Sequence, residues 1–427
     1  MAKGWYVRGL VCAGVGVALA SCQTPTEGLK IGTLLPATGD LASVGQDMLN
    51  APPLVVETVN ACGGVNGRPV TLIQEDDQTQ PTAGAAAMTK LVEVDRVAGV
   101  VGSFASSVST AAVDIGVRGK VPLVSPGSTS PVFTARAKKG DFQGYWFRTA
   151  PSDVYQAQAL AALAQKRNLK RVNTVVINND YGVGFEQAFV QTFTQVGGTV
   201  GNRAKPTRYD PNATALETEA KAAFAGRPQG VAAVLYAETG ALLLKSAYEQ
   251  GLAQGTQVLL TDGVQSEEFV QSVGKTPAGT YILAGALGTV PGADGPALAQ
   301  FNELWQGKFG RPPGPYAPHA WDAAALLILA AQAAGTNTGE ALASKLRQVS
   351  AGPGEPVTDV CQGLALLRES KRINYQGASG TVDFDEYGDV VGSYDVWQVT
   401  PAGKIVTIDQ VKPLGASSPT PPPTSSP

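Results

Sequence analysis

Histidine is almost absent from this chain: among 427 residues only His319 carries an imidazole. That excludes a histidine-built zinc site and leaves any Ser/His/Asp machinery to one residue. No Gly-x-Ser-x-Gly elbow accompanies it, so His319 reads as a helix-start residue near Trp321 and the chain is not expected to be an enzyme. A basic excess is missing too. With 32 Lys and Arg against 35 Asp and Glu, the formal charge is −3, and nucleic acid is not an expected partner because phosphate binding needs a basic surface. After Ala20 no apolar run approaches the roughly 20 residues that span a bilayer. Loops for phosphate and calcium are incomplete. Gly274-Lys275-Thr276 has Phe269 where a phosphate loop needs glycine, and Gly182-Val183-Gly184 has Gln187 where a dinucleotide fingerprint needs its third. The acidic stretch 383–389 lacks the terminal glutamate of a calcium loop. No cofactor or metal is implied.

What is present begins at the start of the chain. An apolar stretch over 9–20 follows Lys3 and Arg8 and ends in Leu19-Ala20-Ser21-Cys22, the order of an export signal. The run resembles a bacterial lipobox. That resemblance implies cleavage before Cys22, acylation of its thiol, and a mature protein held outside the cytoplasmic membrane by lipid alone; a simple cleaved signal is the alternative. Cleavage would remove Lys3 and Arg8 and take the formal charge from −3 to −5. Of the four cysteines, Cys12 falls in the discarded segment. Cys62 and Cys361 remain, and an even pair outside the cytoplasm suggests a disulfide; two separate buried thiols are the alternative. Such a bridge would close a loop of about 300 residues, for which chain entropy allows about 5 kcal/mol.

A mature chain of about 400 residues is too long for one core of ordinary size, so two lobes are expected. From residue 29 to about 285, short β-rich runs alternate with longer helical patterns, which argues for βαβ units and parallel sheets covered by helices. Strands are expected over 30–35, 70–74, 97–101, 122–125, 172–177, 231–235 and 257–260. Helices are expected over 81–94, 152–167, 184–195, 213–224 and 240–250, then over 297–307 and 318–334, followed by a strand and turn around 381–389. Pro52-Pro53 should kink or shorten the first helical region. Residues 23–28 read as a tether. The Pro/Ser/Thr-rich stretch 415–427 lacks the apolar content to pack.

Residues 97–126 and 231–262 repeat one pattern: strand, helix, strand, each ending in a polar cluster. Ligands of open α/β sheets bind beyond the carboxyl ends of the strands, which makes those clusters the candidate site. Gly102-Ser103-Phe104-Ala105-Ser106-Ser107 opens a helix, where hydroxyls, orphan N–H groups and the dipole favour an anion. Ser125-Pro126-Gly127-Ser128-Thr129 ends the next strand.

These two segments resemble the ligand segment of the periplasmic Leu/Ile/Val-binding proteins, the substrate-binding components of branched-chain amino acid ABC transporters. The likeness extends over about nine-tenths of the mature chain through Leu35-Pro36-Ala37-Thr38-Gly39, residues 60–67, Asp180-Tyr181-Gly182, Tyr375-Gln376-Gly377 and Asp383-Phe384-Asp385. It implies an α/β fold of two doubly wound lobes with parallel central sheets, joined by a three-strand hinge and closing like a Venus flytrap. Crossovers would fall near 148–151, 284–286 and 391–393. The domains would be a signal peptide 1–21, a lipidated tether 22–28, lobe 1 from 29–149 plus 286–392, lobe 2 from 150–285 plus 393–414, and the tail 415–427. Cys62 and Cys361 would then share a lobe.

By the same resemblance Ser106, with Ser107, Ser128 and Thr129, would hold an amino acid carboxylate, while the Gly127 carbonyl and Asp262 would take its ammonium. Tyr181 would cover the ligand, and Glu238-Thr239 would stand where relatives carry an aromatic stretch. The last departure, with Val44 in the loop after Gly39, leaves open a neutral or branched-chain amino acid, an acidic or amide one, or a small amide such as urea. The implied role is a monomer that delivers its ligand to an ABC transporter permease. A sensor of the same fold and an extracellular hydrolase are the rival readings.

Overall fold

The computed structural model describes residues 1, 2, 4 and 28–411. Cys22, most of the expected signal segment and of the tether, and the tail 415–427 lie outside the described residues. The first unit runs β1 (Lys30–Leu35), α1 (Ala42–Ala61), β2 (Thr71–Asp76), α2 (Pro81–Thr89), β3 (Gly99–Gly102), α3 (Ser106–Gly119), β4 (Leu123–Ser125), α4 (Val132–Lys138) and β5 (Trp146–Arg148). The second runs α5 (Asp153–Lys166), β6 (Arg171–Ile177), α6 (Asp180–Gln195), β7 (Thr199–Val200), β8 (Thr207–Tyr209) and α7 (Glu217–Ala223). It continues through β9 (Gly230–Val234), α8 (Ala237–Glu249), β10 (Gln257–Leu260), α9 (Glu267–Val273) and β11 (Leu287–Pro291). Then come α10 (Leu298–Phe309), α11 (Ala317–Ala334), α12 (Gly339–Ser350), β12 (Glu355–Val357), α13 (Val360–Arg368), β13 (Ile373–Tyr375), β14 (Tyr394–Val399) and β15 (Ile405–Val411).

The first sheet has the order β2-β1-β3-β4-β5, all parallel. Its order reverses between β1 and β3, and loops leaving the carboxyl ends there open a crevice. The second sheet repeats the pattern: β7 and β8 flank β6 on one side, and β9, β10 and β11 follow on the other, again parallel. Antiparallel β14 and β15 extend its far edge. The two doubly wound lobes expected from the sequence are therefore present, each with its own switch point.

The second crossover differs from expectation. Leu287–Pro291, placed with lobe 1 by a crossover at 284–286, pairs instead with β10 and β14 in the second sheet. These five residues are all buried, and they cover a sheet edge that would otherwise expose unpaired N–H and C=O groups. The expected strand over 381–389 is also absent: the segment is a turn in which Asp385 Oδ1 accepts from Tyr387 and Asp389 N–H at 2.8 and 2.9 Å, so short Asx bonds replace a ladder.

Pro52 and Pro53 do not end α1, which runs over 20 residues. Pro53 has no N–H for the Leu49 carbonyl, and Gln74 Nε2 donates to that carbonyl at 3.4 Å instead. Lobe 1 is centred on α11, an Ala- and Leu-rich helix buried on every side. Its closeness to the sheet depends on Gly99, where a Cβ would lie 2.6 Å from Leu327 Cδ2. Cys62 and Cys361 form a disulfide, Cα–Cα 6.0 Å, that ties the end of α1 to α13. Among the described residues no helix is long and apolar enough to cross a membrane.

Candidate functional site

The two switch points face each other. From lobe 1, the loop after β1 brings Leu41 and the β3–α3 turn brings Phe104, Ala105 and Ser106, with Gly127 after β4. From lobe 2, α6 brings Tyr181, the end of β9 brings Tyr236, and the turn after β10 brings Asp262 and Gly263. These nine residues line one cavity of about 10 Å³, room for about one water. The lobes are in contact around it, so anything larger enters only when they separate.

The anion side is built on α3. Its N-cap, Ala105, offers no side-chain bond to the first turn, so early N–H groups keep their donor capacity. Ser106 begins the helix, is buried, and its Oγ accepts from Ser130 N–H at 3.2 Å. Thr129 is buried with Oγ1 unpartnered. Ser107 is half-buried and outside the cavity lining. Ser128 serves the scaffold: its hydroxyl lies 2.9 Å from the Ser103 carbonyl and 2.8 Å from Ser109 Oγ, pinning the two loops together. Gly127 is small for a steric reason, since a Cβ there would sit 2.1 Å from Phe104 Cδ2.

Arg148 fixes this half to the hinge. It is fully buried, pairs with Asp389 at 2.7 Å, and donates to the carbonyls of Ser128 and Ser130 at 3.0 and 3.1 Å. An unpaired buried guanidinium would be costly; here the carboxylate and the carbonyls satisfy it.

The acidic side is built on Asp262, buried at the cleft. Its Oδ1 accepts from Gln156 Nε2 at 2.8 Å and from the Tyr181 hydroxyl at 2.9 Å; its Oδ2 accepts from the Tyr316 hydroxyl at 2.8 Å. Tyr181 lies flat against Tyr236, centroids 5.7 Å apart, and Tyr316 meets Phe104 edge to face at 4.8 Å. Tyr316 holds a left-handed backbone, φ 63°, rare for an aromatic. Its hydroxyl thereby reaches from lobe 1 to an acid of lobe 2.

A second acid escaped the sequence reading. Asp153, fully buried at the start of α5, has neither carboxylate oxygen hydrogen-bonded. Its own N–H donates to the Thr129 carbonyl at 2.8 Å. Thr129 Oγ1 lies nearby without reaching hydrogen-bond geometry, and Gln156 Oε1, one turn along, is also unpartnered. Burial first, and then the neighbouring Asp262, push the Asp153 carboxyl well above the ordinary carboxylate range. Burial likewise raises Asp262, against its three side-chain donors. Two buried acids surrounded by unpartnered acceptors form a site for a donor-rich cation. Gln156, Tyr236, Tyr316, Phe104 and Leu41 were missed with Asp153, because nothing in their local spacing separates them from core residues; a Ser-Asp pair opening a helix also reads as an ordinary N-cap.

Glu238 and Thr239 stand apart from the cavity lining. Their N–H groups and the Thr239 hydroxyl are taken by Asp40 of the opposite lobe. His319 is buried with Nδ1 unpartnered, and burial pushes its pKa down to about 3; the ring is uncharged and meets Tyr316 at a tilt, centroids 5.3 Å apart. Among the described residues no cluster could hold a metal ion.

The model of the receptor family ligand binding region matches residues 47–402. A substrate-binding protein of a chemotactic signal transduction system in Halobacterium salinarum, BasB, is 27% identical over 396 residues, 88% of each chain. A Leu/Ile/Val-binding protein homolog of Brucella abortus is 27% identical over 82% of this chain and 89% of its own. Among solved structures, the leucine binding protein LivK of Thermotoga maritima superposes with a TM-score of 0.75 at 25% identity, covering 90% of this chain and all but 1% of its own, since 99% of that chain is matched. The chain belongs to the receptor ligand-binding-region family and is similar to periplasmic Leu/Ile/Val-binding proteins.

Proposed function

We propose that the chain binds a small α-amino acid between its lobes and delivers it to a membrane permease. The observation that carries this is the opposition, across one small cavity, of a helix N-terminus with Ser106 and a buried acid, Asp262. A zwitterion needs both halves. Its carboxylate would accept from Ser106, Thr129 and the first N–H groups of α3, and its ammonium would donate to the Gly127 carbonyl, Asp262 and Asp153. Tyr181 and Tyr236 would cover it. Charge-assisted bonds in a dry cleft are strong, and a micromolar Kd, about 8 kcal/mol, is within their reach.

Two buried acids, with Arg148, the one buried cation among the described residues, already committed to Asp389, favour a neutral amino acid over an acidic one. A second carboxylate on the ligand would be buried beside like charge. Export, cleavage before Cys22 and lipid anchoring complete the proposal: a tethered receptor stays near its permease. The chemotactic relative supports a second reading, in which the closed form reports to a transducer instead.

A thermal-shift screen of the lipid-free protein against all amino acids, small amides and carboxylates tests the ligand class. Stabilisation by neutral α-amino acids and none by glutamate or aspartate is expected; stabilisation by no α-amino acid defeats the proposal. Photo-crosslinking of the liganded protein in its own membranes separates permease from transducer.

A further inference from the structure

Helix α8 has no cap of its own. Its N-cap position is Tyr236, which provides no side-chain bond to the first turn. Neither Tyr236 nor its neighbours Leu235 and Ala237 is the Ser, Thr, Asp or Asn that such a position favours. The cap comes from the other lobe. Asp40, in the loop between β1 and α1, accepts from Glu238 N–H and from Thr239 N–H with Oδ1, and from the Thr239 hydroxyl at 2.7 Å with Oδ2. Asp40 precedes the start of its own helix yet does not cap it: the N-cap there is Leu41, again without a side-chain bond. One residue's carboxylate has been exported from lobe 1 to complete a helix of lobe 2.

A second contact lies beside it. Ser43, in the first turn of α1, places Oγ 3.2 Å from Oγ of Ser266, and Ser266 is the N-cap of α9. Asp40 and the first turn of α1 therefore meet the N-termini of α8 and α9. These helices are neighbours in lobe 2, and their positive dipole ends point toward the Asp40 side. None of Asp40, Ser43, Thr239 or Ser266 lines the ligand cavity.

We propose that Asp40 and the N-terminus of α8 form a closing latch, so that Asp40 is a positioning residue that sets ligand retention without touching the ligand. When the lobes part, the α8 donors and the Asp40 carboxylate return to water; when they meet, a helix cap is completed across the cleft. Losing an N-cap of this kind corresponds to roughly a tenfold change in an equilibrium. The closed-to-open ratio should fall by that factor when Asp40 is replaced. Glu238 carries like charge next to Asp40 and contributes only its backbone N–H, so changing its side chain should not weaken the latch.

The test needs no ligand and stands apart from the amino acid proposal. Dyes at Lys120→Cys and Lys221→Cys, exposed positions of lobes 1 and 2, report lobe separation in single molecules of the full, ligand-free chain. Asp40→Asn and Thr239→Val are each expected to reduce the high-transfer, closed population roughly tenfold. Thr239→Ser, which keeps the hydroxyl, should restore it, and Glu238→Gln, which removes a like charge beside Asp40, should leave it no lower than in the wild type. Melting temperatures of the variants in the separated form should agree, which a merely structural role would not allow. Equal closed populations in wild type, Asp40→Asn and Thr239→Val overturn the proposal. So does a wild-type chain with no measurable closed population, because the latch would then supply no bias. Failure of every amino acid in the ligand screen leaves this readout intact.

Discussion

At the scale of single residues, the site depends on what a carboxylate needs when water is removed. Asp262 has three side-chain donors and Asp153 has none, so their variants should differ in kind. Asp153→Asn removes a carboxyl that has no hydrogen-bond partner in the protein and would pair with the ammonium, and ligand affinity should fall by about 2 to 5 kcal/mol, the range seen when one partner of a buried charge pair is lost. The fold should be unharmed or slightly more stable. Asp262→Asn should cost similar affinity and also lower stability, because Tyr181, Tyr316 and Gln156 are left with one acceptor oxygen and a competing NH2 donor. Calorimetric titration beside denaturant melts separates the two; equal affinity in Asp153→Asn and wild type would remove Asp153 from the site. Ser106, Thr129 and Asp262 could be named from the sequence through the family resemblance, which falls on polar clusters that follow apolar strands. Asp153 and Tyr316 could not be. Their roles arise from contacts across more than 50 positions of sequence, such as the Tyr316 bond to Asp262 at |i−j| of 54, and no local pattern records such a contact.

At the scale of elements, buried strands and their helices were legible where apolar runs are bounded by polar turns. Residues 30–35 and 257–260 match β1 and β10 in both limits. The edge elements were not legible. β5, β7, β8 and β12 have only two or three residues each, too few for a period to appear. β11 was missed because Leu-Gly-Thr-Val-Pro carries a glycine and a proline that read as a turn, yet partners on both sides make it a strand. The prolines of α1 misled in the opposite direction: Gln74 supplies a bond that no helical pattern predicts. The packing of α11 on β3 gives a direct test. Gly99→Ala would press a methyl against Leu327, and overpacking of this sort costs about 1 to 3 kcal/mol. Urea unfolding should show the midpoint falling with little change in slope; an unchanged midpoint would mean that Leu327 moves aside without cost.

At the scale of the whole molecule, stability should depend on pH through acids that do not line the cleft cavity. Burial raises Asp77 to about 6, despite the Ser103 hydroxyl at 2.5 Å, and raises Asp322 to about 6 despite donors from Ala378, Ser379 and Tyr375. A carboxyl raised in the fold stabilises it below the unfolded value and loses that contribution as pH rises through the folded value. Each shift of about two units is worth up to about 3 kcal/mol. The melting temperature should therefore fall from pH 5 to pH 7.5, and Asp322→Asn should flatten the slope. Reduction of the bridge between Cys62 and Cys361, 299 positions apart, should cost about 2 to 5 kcal/mol, read as a lower denaturation midpoint in dithiothreitol that the double Ser variant reproduces without reductant.

Arg148 has a kinetic consequence. Because one buried guanidinium holds the carbonyls of Ser128 and Ser130 and Asp389, the loop that would grip a carboxylate should keep its shape when the lobes part. First encounter then takes place on a surface that is already formed, and the arriving lobe decides only how long the guest stays. Related ligands should share one association rate and differ in residence time, as is usual among variants of a single interface.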